Sequence, residues 1–371
     1  MRKIIFSGIF SVFSIIAFSQ AIIIDHNCTK LDDIPESAIL NAKQTLHIAY
    51  EHTSHGSQLM TGMSALIGQT NLNGYKGNIY QWSDGVVAGS LDIDDNFANG
   101  GDLGHNGDTA WAPKTRNYLN NSSHSDVNVM VWSWCGGVQD NTTEGIQTYL
   151  DKMNELEQAY PNVKFVYMTG HSNVWNDATV KASNQQIRDY CIANNKILYD
   201  FYDIERYNPD GDFFEFVDDN CDYYNSAGGA SAGNWATEWQ NSHTEGEDWY
   251  DCSPAHTEAL NGNLKAYAAW WLWCRLAGWD GTITNVKSIT NNEIKIYPNP
   301  ATNNLFLEIK NLELIINNYN KNEVFIYDVT GKVVKQLIVN NSKLIIKIDD
   351  LQNGVYFIQV GTITQKIIIN K

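Results

Sequence analysis

Four short segments concentrate the Ser, His, Asp and Cys side chains that can carry nucleophilic chemistry. These segments are Glu51–Gln58, Trp134–Gly137, Thr169–Asn173 and Asp251–His256. A serine hydroxyl attacks a carbonyl only when a base takes its proton, an acid orients that base, and N–H donors stabilise the oxyanion. The sequence offers Ser54 as the nucleophile, His256 as the base and Asp251 as the orienting acid.

The segments must be positioned by strands and helices that alternate along the chain. Apolar runs rich in strand formers predict strands over Thr45–Tyr50, Asp126–Trp134, Val163–Met168 and Lys196–Phe201. Apolar residues at helical spacing predict helices over Thr143–Tyr160, Asp177–Asn194 and Gly262–Trp273. This alternation predicts an α/β fold, a flavodoxin-like three-layer αβα domain with a parallel sheet over residues 21–280. Ligands bind such sheets at the carboxyl ends of the strands, where the four segments begin or converge.

Ser54 lies at the predicted turn from the first strand into a helix, whose N-terminal N–H groups would face the developing oxyanion. A simpler alternative is that Ser54 only caps this helix. Ser57 is a competing nucleophile. Gly104 and Gly107 could bring a further N–H to the oxyanion.

The remaining strand-end residues are predicted to bind substrate. They are His55, His171 and Asn173. Five histidines could alternatively converge on a metal, since imidazole suits Zn, Cu or Fe: His52, His55, His105, His171 and His256. Two acidic stretches, Asp92–Asn96 and Asp210–Asp222, are predicted to be solvated loops, with Ca²⁺ binding through their oxygen ligands as the alternative. The favoured serine chemistry needs no cofactor, and none is predicted.

Residues 45–280 resemble the SGNH (GDSL-type) hydrolase family in the order of strands, in helix Tyr149–Tyr160 before strand Val163–Met168, and in the late acid-to-His segment. The resemblance implies that the Ser after the first strand is the nucleophile and that a late Asp-x-x-His supplies orienter and base. It also implies oxyanion donors from a Gly in the second block and an Asn in the third. Here His52-Thr53-Ser54 replaces Gly-Asp-Ser, Trp134–Gly137 lacks the Asn, and Ser253 stands where the Asp is expected.

Residues 1–20 have the pattern of a secretory signal peptide, with Arg2 and Lys3 before an apolar stretch from Ile4 to Phe18. No other long apolar run follows, so the mature protein is predicted to lack a membrane span. The six cysteines suit an exported protein and permit disulfides. A bridge between Cys221 and Cys252 would fix the loop that carries His256, and a free Cys135 beside the site is the other possibility considered.

The composition changes near Gly281, after which the chain carries ten Lys and seven acidic residues and no His or Cys. After a linker at residues 281–292, residues 293–371 alternate apolar and polar residues in short runs separated by turn residues, which predicts a small C-terminal antiparallel β-sandwich. The blocks Ile296–Pro300, Val324–Lys332 and Leu351–Tyr356 resemble the type A C-terminal sorting domain of the type IX secretion system of Bacteroidetes. The resemblance implies secretion or surface attachment, with the type IX machinery as partner. A carbohydrate-binding module is the alternative.

The net charge of −17 argues against nucleic acid as a partner, because phosphate binding requires clustered positive charge. Six tryptophans fall in predicted loops, where they could stack on sugar rings: Trp82, Trp111, Trp175, Trp235, Trp239 and Trp249. The sequence therefore predicts a secreted serine hydrolase, an esterase or deacetylase acting on carbohydrate esters. The alternatives are a metal-dependent polysaccharide-cleaving enzyme that uses His52, His55 and His171, and a non-catalytic glycan-binding protein.

Overall fold

The computed structural model describes residues 20–69, 79–283, 294–309, 323–339, 341–360 and 363–371. They form two compact units, divided between Ile283 and Thr284. The predicted signal peptide, apart from Gln20, and the predicted linker beyond Ile283 lie outside the described residues. Among the described residues, no helix is both long enough and apolar enough to cross a membrane.

The first unit is built on a seven-stranded sheet in which every pair of neighbours is parallel. Its strands are β1 (Ile22–Ile24), β2 (His47–Glu51), β3 (Trp82–Ser83), β4 (Leu91–Asp95), β5 (Val129–Trp132), β6 (Lys164–Met168) and β7 (Ile197–Tyr199). They lie in the order β1-β7-β6-β5-β2-β4-β3. All four residues of β5 are buried, as expected when both faces of a parallel sheet are covered.

Eight helices of this unit are described, together with a two-stranded ribbon of β8 (Asp222–Tyr224) and β9 (Ser231–Asn234). The helices are α1 (Glu36–Thr45), α2 (Ser54–Leu66), α3 (Trp111–Leu119), α4 (Thr143–Ala159), α5 (Asp177–Ala193), α6 (Phe201–Ile204), α7 (Trp235–Ser242) and α8 (Ala259–Leu276). Helices α1, α2 and α7 contact α8, whereas α3 and α5 contact α4. These two groups and the sheet between them confirm the predicted three-layer α/β fold.

Strands β2 and β5 form the point at which the strand order reverses. From β2 the chain continues toward β4 and β3, and from β5 it continues toward β6 and β7. The connections therefore leave these two neighbours in opposite directions and open a crevice at their carboxyl ends, where α/β sheets bind ligands. Ser54 follows β2 and Cys135 follows β5, so both residues lie at this crevice.

Two sequence interpretations in this unit are wrong. The acidic stretch Asp92–Asn96 is largely a strand rather than a loop, because Asp92, Asp94 and Asp95 fall within β4 beside β2. Three of the tryptophans assigned to loops are instead buried in helices: Trp111, Trp235 and Trp239. In both cases tertiary packing overrides a local composition that is typical of loops.

The second unit has two antiparallel sheets around one apolar core, which confirms the predicted sandwich. Its strands are β10 (Ile294–Tyr297), β11 (Asn304–Ile309), β12 (Glu323–Asp328), β13 (Val333–Ile338), β14 (Lys343–Lys347), β15 (Gly354–Val360) and β16 (Ile363–Ile369). One sheet has the order β10-β11-β14 and the other β13-β12-β15-β16. The alternation of β11, with Leu305, Leu307 and Ile309 buried, places one face of the strand in this core.

Helices α2 and α8 touch through their backbones at a pair of glycines. A Cβ atom added to Gly62 would lie 2.0 Å from the carbonyl oxygen of Gly262 and 2.9 Å from the Cβ atom of Ala266. Only a residue without a side chain fits at this crossing. The crossing matters for the site because α2 begins at Ser54 and α8 begins three residues after His256.

We expect Gly62→Ala to lower the free energy of unfolding by about 1–3 kcal/mol, because the new methyl group must push the two helices apart. Chemical denaturation of the purified protein measures this change. Ser64→Ala, at an exposed position of the same helix, is the control and should change stability by less than about 0.5 kcal/mol. Equal stability of Gly62→Ala and the wild type would contradict the close crossing.

Candidate functional site

The structure brings Ser54 and His256 together across 202 residues of sequence. The Oγ atom of Ser54 lies 3.0 Å from Nε2 of His256, within hydrogen-bonding distance. Ser54 is the first residue of α2, and the preceding Thr53 makes no side-chain capping bond to the helix. The side chain of Thr53 therefore leaves the first N–H groups of α2 uncapped, and the N–H of His55 among them bonds to the sulfur of Cys135.

The His256 loop is held on both sides of the imidazole. On one side, Gln58 donates a hydrogen bond from Nε2 to the carbonyl oxygen of Ala255 at 2.6 Å. On the other, Asn261 donates to the hydroxyl of Thr257 at 2.8 Å. His256 itself has φ +65°, in the left-handed region that residues other than glycine rarely adopt. This backbone is held by its neighbours in a sparsely populated conformation that turns the exposed imidazole toward Ser54.

Cys135 lies on the other side of Ser54 and is the start of a chain of three polar side chains. Its sulfur is 3.2 Å from Ser54 Oγ and 3.3 Å from Nδ1 of His55. Nε2 of His55 is in turn 2.9 Å from Oδ2 of Asp219. His55 is buried, and Cys135 and Asp219 are half-buried. Thiol, imidazole and carboxylate thus stand in the order of nucleophile, base and orienting acid.

The pKa of the Cys135 thiol is lowered and the pKa of the His55 imidazole is raised, so each shift favours the charged form of its own group. Burial raises the pKa of Cys135, but hydrogen bonds from His55, Ser54 and Thr53 outweigh it and lower this pKa to about 6. Burial lowers the pKa of His55, but the hydrogen bonds to Asp219 and Cys135 outweigh it and raise this pKa to about 9. The hydrogen bond between them thus favours the charged form of each partner, thiolate for Cys135 and imidazolium for His55.

His55 is the middle of three stacked imidazoles. Its ring lies 3.9 Å from that of His171 and 4.5 Å from that of His256, measured between centroids. Nδ1 of His171 donates to the carbonyl oxygen of Ser172 at 2.7 Å. Burial and the charge of His55 lower the pKa of His171, which keeps this ring neutral. A positive charge on His55 therefore has a neutral ring on the face that stacks against His171.

The predicted orienting acid does not take part in this arrangement. Within the described part of the chain, exposed Asp251 makes no hydrogen bond or ion pair with His256. The carboxylate that does reach the histidine cluster is Asp219, whose pKa is raised by burial but lowered further by the hydrogen bond from His55. Asp219 belongs to the stretch Asp210–Asp222, for which the sequence predicted a solvated acidic loop and not a partner of a histidine.

Four other predicted site residues are bound to neighbouring groups, Gly104 through its carbonyl oxygen rather than through the N–H predicted to donate. The N–H of Gly107 donates to Oδ1 of Asn141 at 2.6 Å, and the carbonyl oxygen of Gly104 accepts from Nδ2 of the same Asn141 at 3.1 Å. Ser57 donates its hydroxyl proton to the carbonyl oxygen of Ser54 at 2.7 Å. Asn173 accepts from the N–H groups of Trp175 and Asn176 and so caps a short 3₁₀ turn. None of these contacts points to the oxyanion role of Gly107 or to Ser57 as nucleophile.

The five histidines considered for a metal divide into two groups. His55, His171 and His256 meet at the crevice, whereas Nε2 of His52 pairs with Asp95 and Nδ1 of His105 with Asp140, each at 2.7 Å. His55, His171 and Asp219 have one potential ligand atom each within 4.8 Å of one another. Both nitrogens of His55 are already used by Cys135 and Asp219, so a cation here would have to displace one of those bonds.

All six cysteines are free thiols in the structure. The considered bridge between Cys221 and Cys252 is not formed. Cys221 instead contacts the hydroxyl of Thr257 at 3.2 Å, and Cys252 contacts the carbonyl oxygen of Ala259 at 3.7 Å. The loop of His256 is therefore held by hydrogen bonds rather than by a disulfide.

A cavity of about 250 Å³ opens beside the crevice. Its lining includes Asp102, which accepts a hydrogen bond from the hydroxyl of Thr53 at 3.3 Å, next to Ser54. The other walls include the rings of Trp111 and Trp132 and the side chain of Lys114. Both indole rings are only 2% exposed, so the surface open to a small polar ligand is that of the charged groups, which can form hydrogen bonds.

A fully buried ion pair ties the elements behind the site together. Lys265 of α8 donates from Nζ to Oε1 of Glu205 at 2.6 Å and also to Oε1 of Gln58. Glu205 accepts from the N–H of Ser172 at 2.6 Å, and Gln58 holds the carbonyl oxygen of Ala255. One ammonium group is thereby connected to the loop of His171 and to the loop of His256.

Sequence reasoning missed Asp219 and the role of Cys135. The signal for Cys135 was present, since it follows a central strand and must therefore lie near the residues that follow β2. No local signal marks Asp219, because its partner His55 is 164 residues away in the chain.

Residues 295–370 match the family described as the secretion system C-terminal sorting domain. This match confirms the predicted sorting domain, and it indicates export by the type IX secretion system to the cell surface or the medium. The match does not extend to residues 21–280, so the resemblance of that part to SGNH hydrolases stays a prediction. No curated protein is significantly similar to the chain.

Among solved structures, the chain is similar to an FMN-binding beta-glucuronidase from Facaelibacterium prausnitzii L2-6. The two are 10% identical, the similarity covers 68% of this chain and 33% of that chain, and the TM-score is 0.18. The chain thus spans about a third of the length of that enzyme, and so distant a likeness says nothing about the reaction.

We expect the ultraviolet absorbance of thiolate to rise as the pH is raised through about 6, because the hydrogen-bonded environment of Cys135 lowers its pKa to that value. The step should be absent from Cys135→Ser. The other cysteines do not interfere, because burial raises their pKa values, that of Cys252 to about 11. A wild-type protein without a thiolate step below pH 8 would contradict the hydrogen bonding described for Cys135.

We expect Lys265→Met to lower the free energy of unfolding by about 3–5 kcal/mol, because it leaves the carboxylate of Glu205 buried without its partner. Adding Glu205→Gln to this variant should restore part of the loss. Lys152→Met removes the exposed pair with Glu155 and serves as the control, with a cost below about 1 kcal/mol. Chemical denaturation measures the free energies of unfolding. Equal losses for Lys265→Met and Lys152→Met would show that the buried ion pair stabilises the protein no more than the exposed one.

Proposed function

We propose that the first unit is an exported hydrolase that cleaves an ester by attack of Ser54 on the acyl carbon, with His256 as the base. The observation that carries this proposal is the distance of 3.0 Å between Ser54 Oγ and His256 Nε2 at the crevice of a parallel sheet. A serine at the start of a helix that follows a strand suits acyl transfer, because helix N–H groups face the developing oxyanion.

The reaction uses the side chains as follows. Ser54 Oγ attacks the carbonyl carbon while its proton passes to Nε2 of His256, and the N-terminal N–H groups of α2 stabilise the tetrahedral intermediate. His256 then gives the proton to the leaving alcohol, which frees the acyl-enzyme. A water molecule, deprotonated by the same imidazole, releases the acid. The exposure of His256 suits these transfers because the leaving alcohol and water both arrive from solvent.

A carbohydrate ester is the proposed substrate class. The cavity next to Thr53 offers the charged side chains of Asp102 and Lys114, which can bind sugar hydroxyls through hydrogen bonds. Export to the cell surface or medium brings the enzyme to extracellular polysaccharides. Removal of small acyl groups such as acetate from a polysaccharide is the specific reaction that we propose.

We expect His256→Ala to lower kcat for p-nitrophenyl acetate by about 10²–10⁴-fold, the usual contribution of a general base, and Ser54→Ala to lower it at least as much. A fluorophosphonate probe should modify Ser54 in the wild type, as seen by peptide mass spectrometry. Steady-state turnover and the position of the adduct are the two measurements.

Two matched variants sharpen this test. Ser57→Ala should keep most of the activity, since its hydroxyl is bound to the Ser54 carbonyl, and Asp251→Asn should do the same, since Asp251 does not contact His256. Full activity of Ser54→Ala would refute the proposal. Turnover that is lost in EDTA and restored by one divalent metal would favour the metal-dependent alternative. Absence of any turnover, with glycan binding intact, would favour the binding protein.

A further inference from the structure

Cys135 differs from the other five cysteines in what surrounds it. Cys28, Cys191, Cys221 and Cys274 are buried, and Cys252 is half-buried beside the carbonyl oxygen of Ala259 and the side chain of Asn263. Cys135 is half-buried at the mouth of the crevice and contacts an imidazole and a hydroxyl. Among the described cysteines it is the one whose sulfur faces both a base and the place where a substrate would bind.

The base beside Cys135 is itself oriented. Asp219 holds Nε2 of His55 at 2.9 Å and thereby turns Nδ1 toward the sulfur at 3.3 Å. His171 stacks on one face of the imidazole and His256 on the other, at 3.9 and 4.5 Å, so the ring cannot rotate away. A proton removed from the thiol therefore has a fixed acceptor, and the positive charge that results has a fixed counter-ion.

We propose that Cys135 is a second nucleophile of this site, activated by His55 and Asp219, which accepts an acyl group from an ester or thioester. The acyl substrate class rests on the proposed function, whereas the reactivity of the thiol follows from the contacts of Cys135 alone. Neither the Ser54–His256 pair nor the family resemblance accounts for a thiol, an imidazole and a carboxylate in this order.

The step balances without an added oxidant or reductant. The thiolate of Cys135 forms a bond to the carbonyl carbon, and the tetrahedral intermediate expels the alcohol or thiol of the substrate. The leaving group takes the proton held on Nδ1 of His55. The product is a thioester on Cys135, from which water or another acyl acceptor releases the acyl group with His55 as base.

The two nucleophiles share one proton. The Ser54 hydroxyl has contacts to Cys135 Sγ at 3.2 Å and to His256 Nε2 at 3.0 Å, but it can donate to only one of them at a time. While it donates to the sulfur, Ser54 is not primed by His256. Attack by one nucleophile therefore excludes simultaneous attack by the other.

The first test compares two half-buried cysteines of the same folded protein. With iodoacetamide at neutral pH, Cys135 should be alkylated at least about tenfold faster than Cys252, because only Cys135 is activated by an imidazole. Peptide mass spectrometry measures both rates in one sample. His55→Asn should bring the rate of Cys135 down to that of Cys252 without changing the rate of Cys252. Equal rates in the wild type would overturn the proposal, and this result needs no variant to fold.

The second test looks for the thioester itself. Ser54→Ala is incubated with p-nitrophenyl acetate, and a hydroxylamine-sensitive acetyl group is expected on Cys135, with release of about one equivalent of nitrophenol. The double variant Ser54→Ala/Cys135→Ala should release no more nitrophenol than the uncatalysed reaction. An iodoacetamide-reactive Cys135 that is never acetylated would overturn the acyl-transfer proposal.

The fluorophosphonate adduct on Ser54 keeps the two proposals apart. If Ser54 is labelled and Cys135 is never acetylated, the Ser54 hydrolase stands and the second nucleophile is refuted. If Cys135 is acetylated while Ser54 is not labelled and Ser54→Ala turns over normally, the second nucleophile stands and the Ser54 mechanism is refuted.

Discussion

The geometry of the site depends on the buried ion pair between the ammonium group of Lys265 and the carboxylate of Glu205. Burial lowers its pKa, and the carboxylate of Glu205 opposes this by stabilising the charged form. Neither group has access to water, so each must find its hydrogen bonds inside the protein. They find them in Gln58 and in the backbone of Ser172, which lie directly behind the His256 and His171 loops. Satisfying one buried charge thus fixes two histidine loops.

At the crevice, the reactivity of the site depends on which neighbour accepts the single proton of the Ser54 hydroxyl. Cys135 on one side and His256 on the other compete for it. The state of the sulfur determines which neighbour receives the proton, because a thiolate accepts a hydrogen bond and a thiol donates one. His55 and Asp219 influence this choice through the sulfur, although neither makes a hydrogen bond to Ser54.

Local pattern made the fold largely predictable. Helix Thr143–Ala159 ends one residue before its predicted end, and the alternating runs of the C-terminal segment form the strands of a sandwich, because their apolar periodicity matches their burial. Strand β4 was not predicted, since its three aspartates are typical of a loop and only pairing with β2 makes it a strand. Here long-range pairing determines the structure and local composition does not.

The sequence predicts which residues of the site lie at the carboxyl ends of the strands. It does not predict which of their side chains form hydrogen bonds with one another. Ser54 and His256 flank a strand end and the last helix, which predicts their convergence, and the structure places them in contact. Asp251 is near His256 in sequence, yet the carboxylate at the cluster comes from Asp219, in a loop whose path the sequence does not reveal. Contacts that depend on the path of an irregular loop carry no periodic signal.

The contact between Gly62 and Gly262 means that substitutions at the helix crossing can move helices α2 and α8 apart but cannot bring them closer together. Helices α2 and α8 already meet backbone to backbone, so they have no clearance left to lose. Every side chain added at the crossing can only widen the gap between hydroxyl and imidazole, and no substitution there can narrow it. Directed evolution of this scaffold toward larger substrates should therefore begin at the cavity wall, because variation at the crossing can only loosen the pair.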